Sequence, residues 1–139
     1  MDDILLASSD INLLQETKKF LSSKFDMKDL GEASFDLGIE IYRDRRKGVL
    51  GLSQRVYLEK VLKKYGMHVS KPTPAPIVKG DSFEKFQCPK NQYELDQMKA
   101  VSYASTVGSL QYAQVCTRPD LAFVTGVLGR FQSNPGIEH

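Results

Sequence analysis

The sequence predicts an α+β fold in which a strand, a helix and a β-hairpin precede a small helical unit. Residues 35–42 alternate between apolar and polar side chains, which is the period of a strand with one buried face. Residues 13–21 and 121–131 instead repeat apolar side chains at helical spacing. Prolines at every second position from Pro72 to Pro76 exclude a helix there and indicate a loop or linker.

The first 24 residues predict a short buried strand followed by an amphipathic helix. Residues 4–7 form an apolar run of strand length. Ser9, Asp10 or Asn12 can cap the helix, because their side-chain oxygens accept hydrogen bonds from the free N–H groups of its first turn. The helix is expected to end near Lys24. Its apolar positions share one face and are Leu13, Leu14, Thr17, Phe20 and Leu21.

A β-hairpin is predicted for residues 35–52. After the alternating strand, residues 44–48 form a polar turn that ends in glycine, and residues 49–52 supply the return strand. Ser53 is then expected to cap a helix, and Gly66 to end it in the position that follows the last turn.

Residues 67–97 are predicted to be irregular, and helices resume from Tyr103. The segment 117–120 is expected to break them, with Thr117 capping the second helix and Asp120 in the capping-box position. The apolar faces of the two helices are formed by Tyr103, Val107, Leu110, Leu121, Val124, Leu128 and Phe131.

Composition excludes several classes of protein. Cys88 and Cys116 are far apart and in no paired motif, so free thiols of a reducing compartment are favoured over a disulfide scaffold. His68 and His139 lie near no cysteine cluster, which argues against a zinc site. No stretch approaches the ~20 apolar residues of a membrane span, so we expect a soluble intracellular protein. The net charge of +2 permits a nucleic-acid partner without arguing for one.

Asp2 and Asp3, directly before the apolar run, are the acidic pair with a chemical pattern. Neighbouring carboxylates converge on one ion only where the chain turns, because adjacent strand residues point to opposite faces. Oxygen ligands favour Mg²⁺ or Mn²⁺, and a two-metal phosphoryl transfer needs a further carboxylate from elsewhere. Taken alone, so short a motif is most often a solvated chain end.

Seven motifs in order along the chain make a far more specific pattern. They are Asp-Asp-Ile-Leu-Leu at 2–6, Phe-Asp-Met-Lys-Asp-Leu-Gly-Glu at 25–32, Leu-Gly-Ile-Glu-Ile at 37–41, Leu-Ser-Gln at 52–54, Cys-Pro-Lys-Asn at 88–91, Val-Gly-Ser-Leu-Gln-Tyr at 107–112 and Thr-Arg-Pro-Asp at 117–120. Together they resemble the reverse transcriptase of copia-type retrotransposons, especially the plant elements, and they cover essentially the whole chain.

The resemblance implies an organisation into four parts. Residues 1–53 would be a partial reverse-transcriptase palm with strand, helix and β-hairpin. Residues 54–66 would be a connecting helix, residues 67–98 a proline-containing linker, and residues 99–139 a small α-helical thumb.

The resemblance also implies roles for the palm residues. Asp2 and Asp3 would be catalytic carboxylates and metal ligands, Asp2 being favoured as the direct ligand, with Mg²⁺ (or Mn²⁺) expected only in the complete enzyme. Leu37, Gly38 and Ile39 would form the primer grip, where glycine lets a sugar-phosphate backbone approach closely. Without the family, Gly38 is equally well explained as a bulge in an ordinary hairpin.

In the thumb, the resemblance makes Gln111, Gln114 and Arg118 candidates for contacts with phosphate or sugar. The alternative for Arg118 is that it anchors the turn between the two helices. The implied partners are an RNA/DNA template–primer duplex and the remainder of the Pol polyprotein, namely the fingers, the first half of the palm and ribonuclease H, with no membrane. The implied location is cytoplasmic or nuclear, within a virus-like particle in the family.

The leading hypothesis is therefore part of an RNA-directed DNA polymerase. Two alternatives remain open: a non-catalytic nucleic-acid-binding module, and an inert retroelement remnant. Affinity for duplex that falls with salt would favour the binding module over an inert remnant.

We predict that this chain alone has no polymerase activity, because the first catalytic Asp and the fingers of the family have no counterpart in it, and catalysis depends on holding two ions in register. A primer-extension assay in Mg²⁺ or Mn²⁺ checks this. Templated synthesis by the isolated chain would contradict it.

Overall fold

A computed structural model describes residues 4–73, 75–78 and 80–139. Their helices and strands are α1 Ile11–Lys24, β1 Phe35–Asp36, β2 Ile39–Asp44, β3 Val49–Ser53, α2 Arg55–Lys64, α3 Gln92–Lys99, α4 Tyr103–Cys116 and α5 Ala122–Gly129, with 3₁₀ turns at Lys85–Gln87 and Pro119–Leu121. The mixture of helices with one small sheet confirms the predicted α+β class. The chain divides into two compact units, Met1–Leu52 and Ser53–His139, which we call the first and second unit.

Helix α1 begins and ends where the sequence predicts. The Asp10 carboxylate accepts hydrogen bonds from the backbone N–H groups of Asn12 (2.8 Å) and Leu13 (3.4 Å), and Lys24 is the last helical residue. The apolar face that the sequence predicts is exposed at Leu13 and Phe20. Periodicity marks which face of a helix is apolar, but burial needs a second element packed over that face.

The predicted strand at residues 4–7 is wrong. This segment has no regular secondary structure, and Ile4 and Leu5 are exposed. An apolar run forms a strand only when a neighbouring strand pairs with its backbone groups. The sheet of the described chain contains β1, β2 and β3 and has no place for this segment.

The sheet is built from two consecutive chain reversals. Strands β1 and β2 are antiparallel, with Phe35 opposite Glu40 and Asp36 opposite Ile39, and β3 lies beside β2. The single strand predicted for residues 35–42 is therefore wrong, because the chain reverses after Asp36. A two-residue turn leaves the apolar–polar alternation in phase, so the alternation gives no sign of the reversal.

Helix α2 ends as predicted and begins one residue late. Gly66 has φ +69° and follows the last turn, and the N–H of Met67 bonds to the carbonyl of Leu62 at 2.8 Å. At the other end Gln54, not Ser53, precedes the first helical residue. The Ser53 hydroxyl accepts a hydrogen bond from the N–H of Arg55 (3.3 Å).

The prediction of an irregular segment at residues 67–97 is wrong for α3. Asn91 caps this helix by accepting a hydrogen bond from the N–H of Glu94 (2.9 Å), and the Glu94 carboxylate reaches back to the N–H of Lys90 (2.7 Å). The Asn-x-x-Glu spacing of a capping box is visible in the sequence. The prolines of this segment favoured the prediction of an irregular structure instead.

Helices α4 and α5 hold the apolar core of the second unit. Val107, Ala113, Val124 and Phe131 are buried, which confirms the predicted apolar faces at Val107, Val124 and Phe131. The predicted capping box at residues 117–120 is wrong, since both of its side chains bond elsewhere.

Two further observations concern the cysteines and the length of the apolar helices. Cys88 and Cys116 are both free, as predicted. No helix in the described residues combines the length and apolar character needed to cross a membrane.

We predict opposite effects from two glycine substitutions. Gly66→Ala should lower the free energy of unfolding by about 1 kcal/mol, because a side chain is strained at positive φ. Gly108→Ala should raise it by about 0.5–1 kcal/mol, because this helical position has open space for a methyl group. Urea denaturation of both variants checks this, and shifts of the same sign would contradict it.

Candidate nucleic-acid interface

The turn between β1 and β2 presents a large apolar side chain to solvent. Leu37 has φ +47° and Gly38 has φ +81°, so both central residues of the turn are left-handed. Such a conformation is uncommon for Leu, whose side chain here is 78% exposed. Ile39 begins β2 and is half-buried. A strained, exposed apolar residue at a hairpin tip is the kind of outlier that clusters at binding sites.

The loop before this hairpin is fixed by two ion pairs. Lys18 of α1 bonds to Asp29 at 2.8 Å, and Arg45 bonds to Glu32 at 2.8 Å. Each cation lowers the pKa of its carboxyl partner through the hydrogen bond it donates. The groups are exposed and contribute little stability, but they orient the loop that precedes β1. Two residues of the motif at 25–32, Asp29 and Glu32, thus form ion pairs within the first unit.

In the second unit, Gln111 and Gln114 lie three residues apart on α4 and therefore on neighbouring positions of one face. Gln111 is exposed and Gln114 is half-buried. Helix α5 comes close to Gln111 at Gly129, where an added methyl group would lie 3.4 Å from the amide nitrogen of Gln111. A methyl group at this position would be in van der Waals contact with the amide.

Arg118 forms a two-pronged contact with Asp120. Its Nε and Nη2 atoms donate to the two carboxylate oxygens at 2.9 and 2.7 Å. This contact raises the pKa of Arg118 and lowers the pKa of Asp120. A phosphate that bound Arg118 would share the guanidinium with Asp120. In this geometry Arg118 anchors the turn between α4 and α5.

Asp2 and Asp3 lie outside the described residues, so the metal site at this pair stays a prediction. Within the described ranges, no group of three or more His, Cys, Asp or Glu side chains is arranged to hold a metal ion.

The sequence analysis missed a buried polar contact that joins α2 to α4. Gln54 is only 2% exposed, and its Oε1 accepts a hydrogen bond from the Thr117 hydroxyl at 2.8 Å. Its Nε2 is buried and makes no hydrogen bond within the described chain. Gln54 is the last residue of the motif at 52–54, and Thr117 is the first residue of the motif at 117–120. The two motifs are therefore in contact although they are distant in the sequence. The sequence alone does not show that these two motifs are in contact.

A second contact between the same helices comes from Tyr57. Its hydroxyl donates to the carbonyl of Ser109 at 3.1 Å. Its ring meets that of Tyr112 edge to face, with centroids 4.9 Å apart. Together with Gln54, this contact fixes α2 along α4.

Comparison with known proteins identifies the family. The family model described as reverse transcriptase (RNA-dependent DNA polymerase) matches residues 1–79, more than half of the 139 residues. The chain belongs to the reverse transcriptase family. The resemblance to copia-type elements that the motifs indicated is thereby confirmed at the level of the family.

Relatives extend the similarity to the whole chain. It is 45% identical over 139 residues to the retrovirus-related Pol polyprotein from transposon TNT 1-94 of Nicotiana tabacum, covering 100% of this chain and 10% of the relative. It is 34% identical to the Pol polyprotein from transposon RE1 of Arabidopsis thaliana, covering 100% of this chain and 9% of the relative. An uncharacterized mitochondrial protein of Arabidopsis thaliana is 35% identical, with 99% of this chain and 53% of the relative covered.

The chain thus spans about a tenth of the length of the Pol polyproteins that it matches. No solved structure matches it.

We predict that Gln54 and Thr117 are energetically coupled. Gln54→Leu or Thr117→Val alone should each cost about 1–3 kcal/mol of unfolding free energy, because each leaves a polar partner unsatisfied. The double variant should cost less than the sum, since it removes both polar groups together.

Gln54→Leu combined with Thr106→Val is the control. The Thr106 hydroxyl of α4 donates to the carbonyl of Ser102, the residue before this helix, so these two changes should be additive. Additivity of the Gln54–Thr117 pair in urea denaturation would contradict the coupling.

Proposed function

We propose that this chain supplies the primer grip and thumb of a copia-type RNA-directed DNA polymerase that binds an RNA/DNA template–primer duplex. Residues 1–53 would belong to the palm, 54–66 to a connecting helix, 67–98 to a linker and 99–139 to the thumb. Membership of the reverse transcriptase family supports this proposal.

The observation that carries the proposal is the Leu37–Gly38 turn. A primer grip must press against the 3′-terminal nucleotide without blocking it. The exposed Leu37 side chain offers an apolar contact for the sugar or base. Gly38 beside it has no side chain, so a sugar-phosphate backbone can approach the turn closely.

Asp2 and Asp3 would contribute carboxylates to the metal site of the complete polymerase. Two adjacent carboxylates form a donor set that suits Mg²⁺ or Mn²⁺ rather than a softer ion. When bound, the metal supplies charge neutralisation for the attacking and leaving oxygens of nucleotide addition. This chain's residues would hold the ion and position the primer end against it.

In the thumb, Gln111 and Gln114 would contact sugar or phosphate oxygens from one face of α4. Amide groups can donate hydrogen bonds to backbone oxygens, which are the same for every base. Such contacts suit a polymerase that copies any template. Arg118 would add a phosphate contact only by sharing its guanidinium with Asp120.

The remainder of a Pol polyprotein is the proposed partner of the first unit. Large apolar side chains of α1 and β3 in this unit are exposed, and exposed apolar surface of this kind marks an interaction site. They are Ile11, Leu13, Phe20, Val49, Leu50 and Leu52. The relatives carry this region inside much longer polyproteins, which supports such packing.

Binding to two RNA–DNA hybrids of equal length tests the proposal, one blunt and one with a recessed DNA 3′ end. The chain should bind the recessed hybrid more tightly, because only there is the DNA 3′ end a primer terminus, with unpaired template beyond it. Fluorescence anisotropy measures both affinities. Equal affinity for the two hybrids would favour the non-catalytic binding module, and no binding would favour the inert remnant.

Leu37→Asn should abolish the preference for the recessed end while keeping the turn, because Asn adopts the left-handed conformation readily. The relief of strain should raise the free energy of unfolding by about 1 kcal/mol. Leu50→Asn is the matched control, since it removes another exposed leucine of the first unit and should leave the preference intact. A Leu37→Asn variant that still prefers the recessed end would overturn the proposed role.

A further inference from the structure

Four side chains at the end of α2 and in the first half of α4 form a polar cluster that includes none of the predicted site residues. The Ser105 hydroxyl oxygen accepts hydrogen bonds from Lys64 Nζ (2.9 Å) and from the Tyr65 hydroxyl (3.0 Å). The Ser109 hydroxyl lies 3.5 Å from the same Tyr65 oxygen. All four residues belong to the second unit.

The cluster carries a positive charge and several hydrogen-bond donors that remain unused. Lys64 has three N–H donors, of which one bonds to Ser105, and it has no carboxylate partner within the described residues. The Tyr65 hydroxyl donates to Ser105, and the Ser109 hydroxyl donates to the carbonyl of Ser105 at 2.8 Å. The Ser105 hydroxyl hydrogen therefore remains available together with two N–H groups of Lys64, and no Asp or Glu contributes to the group. A negatively charged ligand that is rich in acceptor oxygens would bind these remaining donors.

The environment of Tyr65 shows that the cluster favours negative charge on oxygen. Hydrogen bonds with Ser105, and then with Ser109, lower the pKa of the Tyr65 phenol from 10.0 to about 7, with a smaller contribution from Lys64. The remaining donors of the cluster, on Lys64 and Ser105, can likewise stabilise a phosphate oxygen that lies beside Tyr65.

Contacts outside the cluster also hold α2 against α4. That packing is already made by the Gln54–Thr117 hydrogen bond and by the contacts of Tyr57 with Ser109 and Tyr112. Lys64 is exposed, and its ammonium group is held both by the Ser105 hydroxyl and over the Tyr65 ring, 5.0 Å from the ring centroid. A binding role explains that placement.

We propose that Lys64, Tyr65, Ser105 and Ser109 form a phosphate-binding site that holds a backbone phosphodiester of the template–primer duplex. The choice of duplex as the source of the phosphate rests on the proposed function. The ligand chemistry itself rests only on the cluster.

The phosphate site is tested with inorganic phosphate, using the ultraviolet absorbance of tyrosinate to follow Tyr65. In chloride, Tyr65 should ionise with a pKa of about 7. In phosphate of equal ionic strength its midpoint should rise, because a bound anion opposes a second negative charge nearby. Tyr65→Phe should remove this ionisation and so identify the signal.

Lys64→Gln should abolish the effect of phosphate, whereas Lys63→Gln, an equal loss of charge on the adjacent residue of α2, should retain it. A wild-type midpoint that is the same in phosphate and chloride would overturn the site. So would an equal response to phosphate in the two lysine variants.

The duplex as source is tested by the salt dependence of binding to the recessed RNA–DNA hybrid. Lys64→Gln should weaken binding roughly three- to fivefold at low salt and reduce the logarithmic salt slope by about 0.9, the value for one lost phosphate contact. Lys63→Gln should change the slope less. Equal slopes for the two variants would overturn the duplex as source.

The failure of the proposed function has a different signature. If the wild-type chain bound neither hybrid, the duplex assignment would fall, while a rise of the Tyr65 midpoint in phosphate would still support an anion site. If the hybrid bound normally but phosphate had no effect on Tyr65, the site would be overturned and the proposed function would stand.

Discussion

The architecture of the second unit depends on the buried hydrogen bond between Gln54 and Thr117. It joins the residue before α2 to the residue after α4, at a place where Gln54 is almost completely removed from water. A buried amide without this partner would carry the full cost of desolvation. The contact therefore fixes the register of α2 along α4, and with it the positions of Tyr57 and Tyr65 against Ser109.

In the first unit, an unusual backbone conformation and an exposed apolar side chain occur at the same residue, Leu37. The chain reverses at Leu37 and Gly38 in a left-handed turn, although leucine is poorly suited to that conformation, and the side chain is left exposed. A residue chosen for stability alone would be Asn or Gly. Contact with a primer end, as proposed for this turn, would outweigh the local strain.

The sequence predicted the features that depend on short-range chemistry. The Asp10 cap, the Gly66 terminus and the apolar faces around Val107 and Val124 are each determined within a few residues. It failed where a distant partner decides: residues 4–7 have no strand to pair with, and Thr117 bonds to Gln54 instead of capping a helix. The Lys64–Tyr65–Ser105 cluster was invisible for the same reason, since Ser105 lies 41 residues from Lys64 and 40 from Tyr65.

The most direct test of the primer grip is photocrosslinking from a primer whose 3′-terminal nucleotide carries a photoreactive base, annealed to an RNA template. Tryptic digestion and mass spectrometry then locate the attachment. If the turn holds the primer end, the crosslink should lie within the peptide of residues 29–43, at Leu37, Gly38 or Ile39. Attachment confined to other peptides, at equal yield with blunt and recessed duplexes, would contradict it.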